Sequence, residues 1–325
     1  GAAVAVVDAP ALPKAKRHRL RAKAPTLAAL VRDHRGASGA APEAARWTRL
    51  GPDAVLVPAN TPVSDADAVF WGRVAGAARA RRVFRDAEVA ADGFRSSRRT
   101  LVHGPAGPDA AWVEIREGGV VYGFDATKTM FAKGNAAERM RFGTLRCEAE
   151  VIVDLYAGIG YFALPMLVRG KAAFVHCCEW APPAADALKR NLERNGVAAS
   201  RYAIHRGDNA ATAPPLGPIA DRVSLGLTPS SRAGWSAACA VLKARGGVLH
   251  VHENVRVPPG SAADDRAAFS EWGRGVASEF SDLLRFRRGN RWVCETANVS
   301  RVKDYAPRVH HLVADVVCRP PRADA

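Results

Sequence analysis

The tightest constraint on this chain lies at residues 151–163. Val151, Ile152 and Val153 form a short apolar run that ends on Asp154, and Gly158 and Gly160 follow before a helical pattern over 161–168. A strand that passes into a helix through two glycines belongs to a sheet with helices on its faces, because glycine lets the backbone turn sharply and approach a ligand closely. The pattern then repeats. Strands are expected over 172–178, 201–205, 221–227 and 247–252, and helices over 182–195, 234–244 and 261–287. Two closing strands, 291–302 and 308–318, are joined by 303–307, a link short enough for a hairpin. Alternating strand and helix predicts an α/β fold with a mostly parallel sheet and an antiparallel strand at its edge.

Upstream, apolar runs at 54–58 and 68–71 interrupted by Gly, Asp and Arg read as a smaller α+β unit. Segments 112–115 and 120–124, separated by Arg116, Glu117, Gly118 and Gly119, read as a hairpin. Residues 135–145 carry apolar side chains at helical spacing, with Asn135 as N-cap. The first 45 residues are rich in Ala, Pro, Lys and Arg and are expected to form a poorly ordered basic arm with one short helix at most. The expected organisation is an arm over 1–45, a small domain over 46–149 and a ligand-binding domain over 150–320. Beginning at Gly1 rather than Met, the chain reads as a fragment or a processed product.

Charge narrows the partner. The 325 residues carry a net charge of +15, and residues 1–100 hold 18 Lys and Arg against 9 Asp and Glu. Lys14, Lys16, Arg17, Arg19, Arg21 and Lys23 form the densest run. A balance this basic favours a polyanion such as RNA, although such a run by itself is equally a solvated tail. No stretch of 18 uncharged apolar residues is present, so no membrane span is expected. The six cysteines make no C-x-x-C pair and fit no zinc spacing, which favours a reducing, cytoplasmic setting and no metal.

Three phased features point to a nucleoside. The first is Asp154 with Gly158 and Gly160, whose following helix offers its positive end to an anion. The second is Glu179, 21 residues after Gly158 at the end of the second strand, where an acid can accept both ribose hydroxyls. The third is Asp208 with Asn209 after the third strand, placed to hydrogen-bond an adenine edge. Each acid taken singly is also an ordinary loop residue or helix cap; their joint phasing argues for a site. A dinucleotide fingerprint would want a third glycine where Ala163 stands, a position some variants fill with alanine. Asp154 ahead of the glycines suits a nucleoside with an amino-acid tail better, since no pyrophosphate then has to be cradled.

Residues 154–160 resemble the first motif of class I S-adenosylmethionine transferases. Longer blocks narrow the likeness: 124–139 with Asp125, Lys128, Phe131, Gly134, Asn135, Glu138 and Arg139; 153–162; 174–180; 225–231 with Thr228, Pro229 and Ser230; and 302–307. Together they are similar to the aminocarboxypropyltransferases of tRNA wybutosine synthesis, over roughly residues 46–320. The resemblance implies a Rossmann-like class I methyltransferase fold preceded by a smaller tRNA-facing domain. It implies S-adenosyl-L-methionine as cofactor, tRNA-Phe near its anticodon as partner, and 4-demethylwyosine as the acceptor. It places cofactor contacts at Arg139, Glu179, Asp208 and Asn209, and at a serine whose position is Ala132 here, so that one contact is not carried over. The related tRNA guanine-N1 methyltransferases are the alternative. They carry an Arg-Leu pair where Gly134 and Asn135 stand, and an Asn-x-Pro-Pro type motif where Leu227, Thr228, Pro229 and Ser230 stand. No general base is assigned: His176, His205, His250 and His252 lie near strand ends, where histidine is usually structural. Lys128 suits RNA phosphate, the cofactor carboxylate or plain surface exposure.

Overall fold

A computed structural model describes residues 4–8, 24–36, 46–90, 92–289 and 292–320; the basic run over 14–23 lies outside them. The chain forms two compact units, one of Pro13–Glu117 with Val121–Phe131, the other of Gly1–Leu12, Gly118–Val120 and Ala132–Ala325. Strand β1 (Ala5–Asp8) belongs to the larger unit. The smaller unit contains α1 (Leu27–Arg35), β2 (Thr48–Arg49), β3 (Ala54–Val57), α2 (Ala68–Ala78), β4 (Arg82–Arg85) and β5 (Thr100–His103). Its four strands form one mixed sheet, β2-β3-β4-β5. Leu27, Leu30 and Val31 of α1 and Phe70, Trp71 and Val74 of α2 bury against Val55, Val57 and Val83. Strands β6 (Trp112–Glu117) and β7 (Val120–Asp125) pair as the expected hairpin. Gly118 and Gly119 both take positive φ, 59° and 81°, as a two-residue turn between twisted strands requires.

The arm expected over 1–45 therefore contains regular structure. Helix α1 forms because Thr26 caps it, accepting from the Ala29 amide at 3.2 Å, and because Leu27, Leu30 and Val31 supply an apolar stripe. Strand β1 is held by parallel pairing with a strand nearly 300 residues later. Residues 132–149, expected with the small domain, group with the larger unit.

The larger unit continues with α3 (Ala136–Phe142), β8 (Val151–Asp154), α4 (Ala163–Val168), β9 (Phe174–Glu179), α5 (Pro182–Arg194), β10 (Tyr202–Arg206) and α6 (Asn209–Thr212). It closes with β11 (Arg222–Leu225), α7 (Trp235–Val241), β12 (Gly247–Arg256), α8 (Ala262–Arg288), β13 (Val293–Ala306) and β14 (Val309–Arg319). Its sheet runs β1-β13-β14-β12-β11-β8-β9-β10. All neighbours are parallel except those of β14, which is antiparallel to both β12 and β13. The antiparallel strand is thus interior, not at the edge: α8 carries the chain out to β13, and the hairpin at Pro307 and Arg308 returns β14 into the gap. The order reverses between β8 and β11, and ligands of open α/β sheets bind at the carboxyl ends beside such a switch.

The two faces of the β12–β14 pair differ sharply. Leu249, Val251, Ala314 and Val316 pack with Val276, Ala277, Phe280 and Leu284 of α8. The opposite face carries His250, His252 and Asn254 beside Asp315, Val313 and His311. There Asp315 bonds His250 Nδ1 at 2.5 Å and Arg141 Nη1 at 2.7 Å, and Arg141 also pairs with the fully buried Glu138 at 2.7 Å. Arg222 bonds His250 Nε2 at 2.8 Å and Glu150 at 2.7 Å. Arginine can only donate, so His250 Nε2 must be the bare nitrogen and Nδ1–H the donor to Asp315. Burial works to raise the Asp315 carboxyl, yet His250 and Arg141 overcome it and hold the group below the ordinary carboxylate range. Arg141→Leu should strand Glu138 and Asp315 as buried charges and cost about 3–5 kcal/mol, readable as a lowered urea midpoint with an unchanged slope.

Candidate cofactor site

At the carboxyl end of β8 the backbone enters the glycine loop. Gly158 and Gly160 take φ of 55° and 100°, the left-handed region in which a side chain is strained. A Cβ on Gly158 would meet the Tyr161 ring at 2.5 Å, and one on Gly160 would meet Leu164 at 2.7 Å. Asn191 of α5 braces the loop by donating from Nδ2 to the Ile159 carbonyl at 2.9 Å.

Glu179 ends β9 beside this loop. Its Oε2 accepts from the Gly158 amide and its Oε1 from the Ala181 amide, both at 2.7 Å. Burial pushes this carboxyl up, opposed by the Ala181 and Gly158 amides. The Gly207 amide donates to the Glu179 carbonyl at 3.0 Å, which brings the 207–209 turn alongside. Asp208 caps α6 there, its Oδ1 accepting from the Ala210 amide at 2.9 Å. Asn209 is buried and donates from Nδ2 to the Leu155 carbonyl at 3.0 Å, so it ties this turn to the residue after Asp154. Asp154, Gly158, Gly160, Glu179, Asp208 and Asn209 thus converge on one end of the sheet.

Asp154 is fully buried. Its Oδ1 accepts weakly from the Tyr156 amide at 3.4 Å, and its Oδ2 has no partner of good geometry, although the Ser224 hydroxyl and the Ala163 amide also act to lower the carboxyl. Burial drives its carboxyl up to about 7, against the lowering effect of the Tyr156 amide. Arg139 stands apart on α3. It is 2% exposed and donates from Nη1 to the Ala132 carbonyl at 2.9 Å, so it supports the backbone at the position where the resembled family has serine. Gly134 does not open onto vacant space: a Cβ there would meet Lys303 Cδ at 2.9 Å and Nζ at 3.1 Å. Asn135 sits at the N-cap of α3 as expected, without a side-chain capping bond. Lys128, in the smaller unit, is exposed and pairs with Asp125 at 3.5 Å.

The histidines separate into three settings. His176 and His205 meet at 2.9 Å across β9 and β10, half-buried. His250 belongs to the Asp315 network. His252 meets His311 at 3.1 Å and packs against the ring of Phe162, which follows the glycine loop, at 4.8 Å between centroids. That last pair was not singled out from sequence. The available signal was His250 and His252 at strand spacing, which places two polar side chains on one face of an otherwise apolar strand.

Residues 113–260 match the TRM5/TYW2 methyltransferase domain. The Arabidopsis thaliana tRNA wybutosine-synthesizing protein 2/3/4 is 45% identical over 278 residues, covering 84% of this chain and 26% of that protein. The Rattus norvegicus tRNA wybutosine-synthesizing protein 2 homolog is 39% identical over 317 residues, covering 86% of this chain and 67% of that protein. The chain belongs to the tRNA wybutosine-synthesizing protein 2 family. It spans two thirds or less of the length of most curated relatives it matches, 65% for the Bos taurus homolog. The crystal structure of P. horikoshii TYW2 in complex with MeSAdo superposes with a TM-score of 0.65 at 26% identity, covering 84% of this chain and 90% of that one. Among the described residues no helix is long and apolar enough to cross a membrane, and no group of three or more metal-ligating side chains is gathered.

The residues present fit the cofactor of this family. A cationic sulfonium with an ammonium tail suits a buried carboxyl oxygen that has no partner of good geometry, and Asp154 Oδ2 is such an atom. Glu179 is held by backbone amides, Gly158 on Oε2 and Ala181 on Oε1 with Trp180 in addition, and a carboxylate's several lone pairs leave acceptor capacity beyond these. A folded-state value near 7 for Asp154, above the ordinary value near 4, favours the protonated acid in the fold. Its contribution to stability is full below about pH 4 and is lost as pH rises through about 7. Asp154→Asn should therefore raise the melting temperature of the ligand-free protein at pH 8, by the equivalent of about 1–3 kcal/mol, and have little effect at pH 4.5. Scanning calorimetry at both pH values checks this, and the same variant should lose S-adenosylmethionine affinity.

Proposed function

We propose that the chain transfers the 3-amino-3-carboxypropyl group of S-adenosylmethionine to the tricyclic wybutosine precursor, 4-demethylwyosine, beside the anticodon of tRNA-Phe, releasing methylthioadenosine. The observation that carries this reading is membership of a family whose members are named for tRNA wybutosine synthesis, one of them solved with MeSAdo. Methylthioadenosine is what remains when the aminocarboxypropyl group, rather than the methyl group, departs. Two local features support it. A side chain at Gly134, where the guanine-N1 methyltransferases carry arginine, would have to displace the flexible end of Lys303. The segment after β11 presents no amide side chain at Leu227, and Ser230 and Ser231 are turned to β12, bonding Glu253 Oε1 and the His252 carbonyl at 3.1 Å each. The cofactor site is Asp154, Gly158, Gly160, Glu179, Asp208 and Asn209, with Arg139 holding the loop at Ala132. We assign the larger unit to cofactor binding and transfer, the smaller unit and the basic run over 14–23 to tRNA, and the protein to the cytoplasm.

S-adenosylmethionine supplies an electrophilic carbon next to a good leaving group; the protein's part is to hold that carbon against the acceptor. Carboxyl-labelled cofactor should therefore put label into tRNA bearing the tricyclic precursor, and methyl-labelled cofactor should put in none. Methyl label entering tRNA with an unmodified guanine would replace this reading with methyl transfer. Binding of tRNA should also weaken steeply between 50 and about 200 mM salt, as phosphate contacts demand. Deleting 1–45 would remove β1 and α1, so the run is better tested by changing Lys14, Lys16, Arg17, Arg19, Arg21 and Lys23 to serine. A shallower salt slope is expected, and an unchanged slope would make the run a solvated tail.

A further inference from the structure

Aminocarboxypropylation at carbon leaves a proton to be removed, and one cluster outside the cofactor residues carries buried ring nitrogens able to accept it. Asp154, Ser224 and His250 lie in one row across β8, β11 and β12. His252 is one pleat further toward the carboxyl ends, on the same face. It touches Phe162 of the glycine loop's helix, and Phe162 lies against Gly226, where a Cβ would meet its ring at 2.7 Å. His311 is bonded to His252 at 3.1 Å through Nε2 and Nδ1, and both residues are 1% exposed. The outer nitrogens, His252 Nε2 and His311 Nδ1, are buried with no protein partner. Around them, Asn254 is the register partner of His311, and its Oδ1 is buried and unpartnered too. Asn135 Oδ1, on the loop beside Lys303, is in the same state, and Lys303 is the register partner of His311 on β13. Buried polar atoms without partners are uncommon in native proteins, and their gathering at the carboxyl end marks a place for a polar ligand.

We propose that the His252–His311 pair takes the proton released by the acceptor ring carbon, acting as a two-imidazole relay; this rests on the aminocarboxypropyl reading above. Two hydrogen-bonded neutral imidazoles always present one bare nitrogen and one N–H at their outer ends, in either order. With His252 Nε2 bare, Nδ1–H points at His311 Nε2 and His311 Nδ1 carries the outer proton. The ring carbon forms its bond to the γ-carbon, the carbon–sulfur bond breaks with its electron pair going to sulfur, and the acceptor ring takes the positive charge that sulfur gives up. The C–H proton then passes to His252 Nε2 and the Nδ1 proton to His311, so that the ring is neutral again and the pair holds one proton more, returned to solvent on product release. Burial lowers both imidazoles, helped at His252 by His311 and Arg141 and at His311 by Lys303, which takes His311 to about 3. The pair is thus neutral and ready near neutral pH, and His250 and Asp315, the remaining titratable neighbours of His252, leave that direction unchanged. A weak base suffices because a proton on a ring carbon that has become tetrahedral in a cationic ring is strongly acidic.

The test uses His252→Phe, which keeps an aromatic ring against Phe162, and His311→Gln, which cuts the relay and leaves His252 in place. Calorimetric S-adenosylmethionine binding should stay within about twofold of wild type. Single-turnover formation of the neutral aminocarboxypropylated nucleoside in tRNA, the product that exists only after proton loss, should fall by about 10²–10⁴-fold, the usual worth of a general base. With deuterium at the reacting carbon, both variants should show a primary isotope effect that the wild type lacks, because proton removal becomes limiting. Turnover within threefold of wild type, or a loss of turnover without the isotope effect, would overturn the proposal. Should the wild type instead methylate unmodified guanine, the transfer reading fails separately, and the pair is then judged by whether both variants lose that methylation while still binding cofactor.

Discussion

Asp315 is the fixed point of the larger unit. Its two oxygens gather His250 from β12, Arg141 from α3 and Asn298 from β13, while Arg222 extends the set to β11 and Glu150. Taking these charges out of water is expensive, and only closely matched geometry offsets it. The network therefore specifies more than it stabilises. A one-residue slip of β14 against β12 would turn Asp315 and His311 toward α8, into the company of Val276 and Phe280. It would also pull α3 away, and with it Arg139, which supports the loop at Ala132. The register of the sheet and the shape of the loop before it are thereby one constraint.

Much of this was legible in the sequence. The strand–helix alternation from 151 onward, the hairpin at Gly118 and Gly119, and the convergence of Asp154, Gly158, Glu179 and Asn209 all follow from local rules of periodicity and turn chemistry, and the structure has them where expected. What local rules missed is long-range. Nothing near Ala5–Asp8 announces that its pairing partner is Asn298–Arg301, because an edge position is chosen by whichever strand is left open. The interior place of β14 was missed for a similar reason: a hairpin link fixes that two strands are neighbours but not on which side the second one falls. Helix α1 is the one short helix allowed for in the first 45 residues, and its signal is Thr26 followed by Leu27, Leu30 and Val31.

The site divided likewise. Residues contributed by loops after strands could be placed by counting from Asp154. Asp208 is the instructive case, because the side chain expected as a ligand also caps α6, and a short acid has two oxygens to offer. Asn209 and Asn191 proved to hold backbone carbonyls of the surrounding loops, a role that depends on where Leu155 and Ile159 lie in space. The histidine pair was out of reach for the same reason, since His252 and His311 are 59 residues apart and meet only because β14 returns beside β12.

The two halves of the sheet consequently do different work. From β8 to β10 the carboxylates of the candidate site, Glu179 and Asp208, lie at or just past strand ends, where backbone amides hold them. From β11 to β14 the face under α3 is polar along the strands, and in its inner row His250 and Asp315 are fully partnered, although Ser224 Oγ beside them is not. Nor is the outer row, His252 with His311. A polar row whose members satisfy one another is a structural device, and its cost is repaid in register. A polar row one pleat nearer the carboxyl ends, equally buried but with outer nitrogens unpartnered, has no such return within the protein alone. The same strand pair thus carries an anchor and, immediately beyond it, groups held ready at a fixed height above Asp154. The anchor's rigidity is what makes that readiness useful, since a proton acceptor contributes only when its nitrogen is already within hydrogen-bond reach of the atom that must lose the proton.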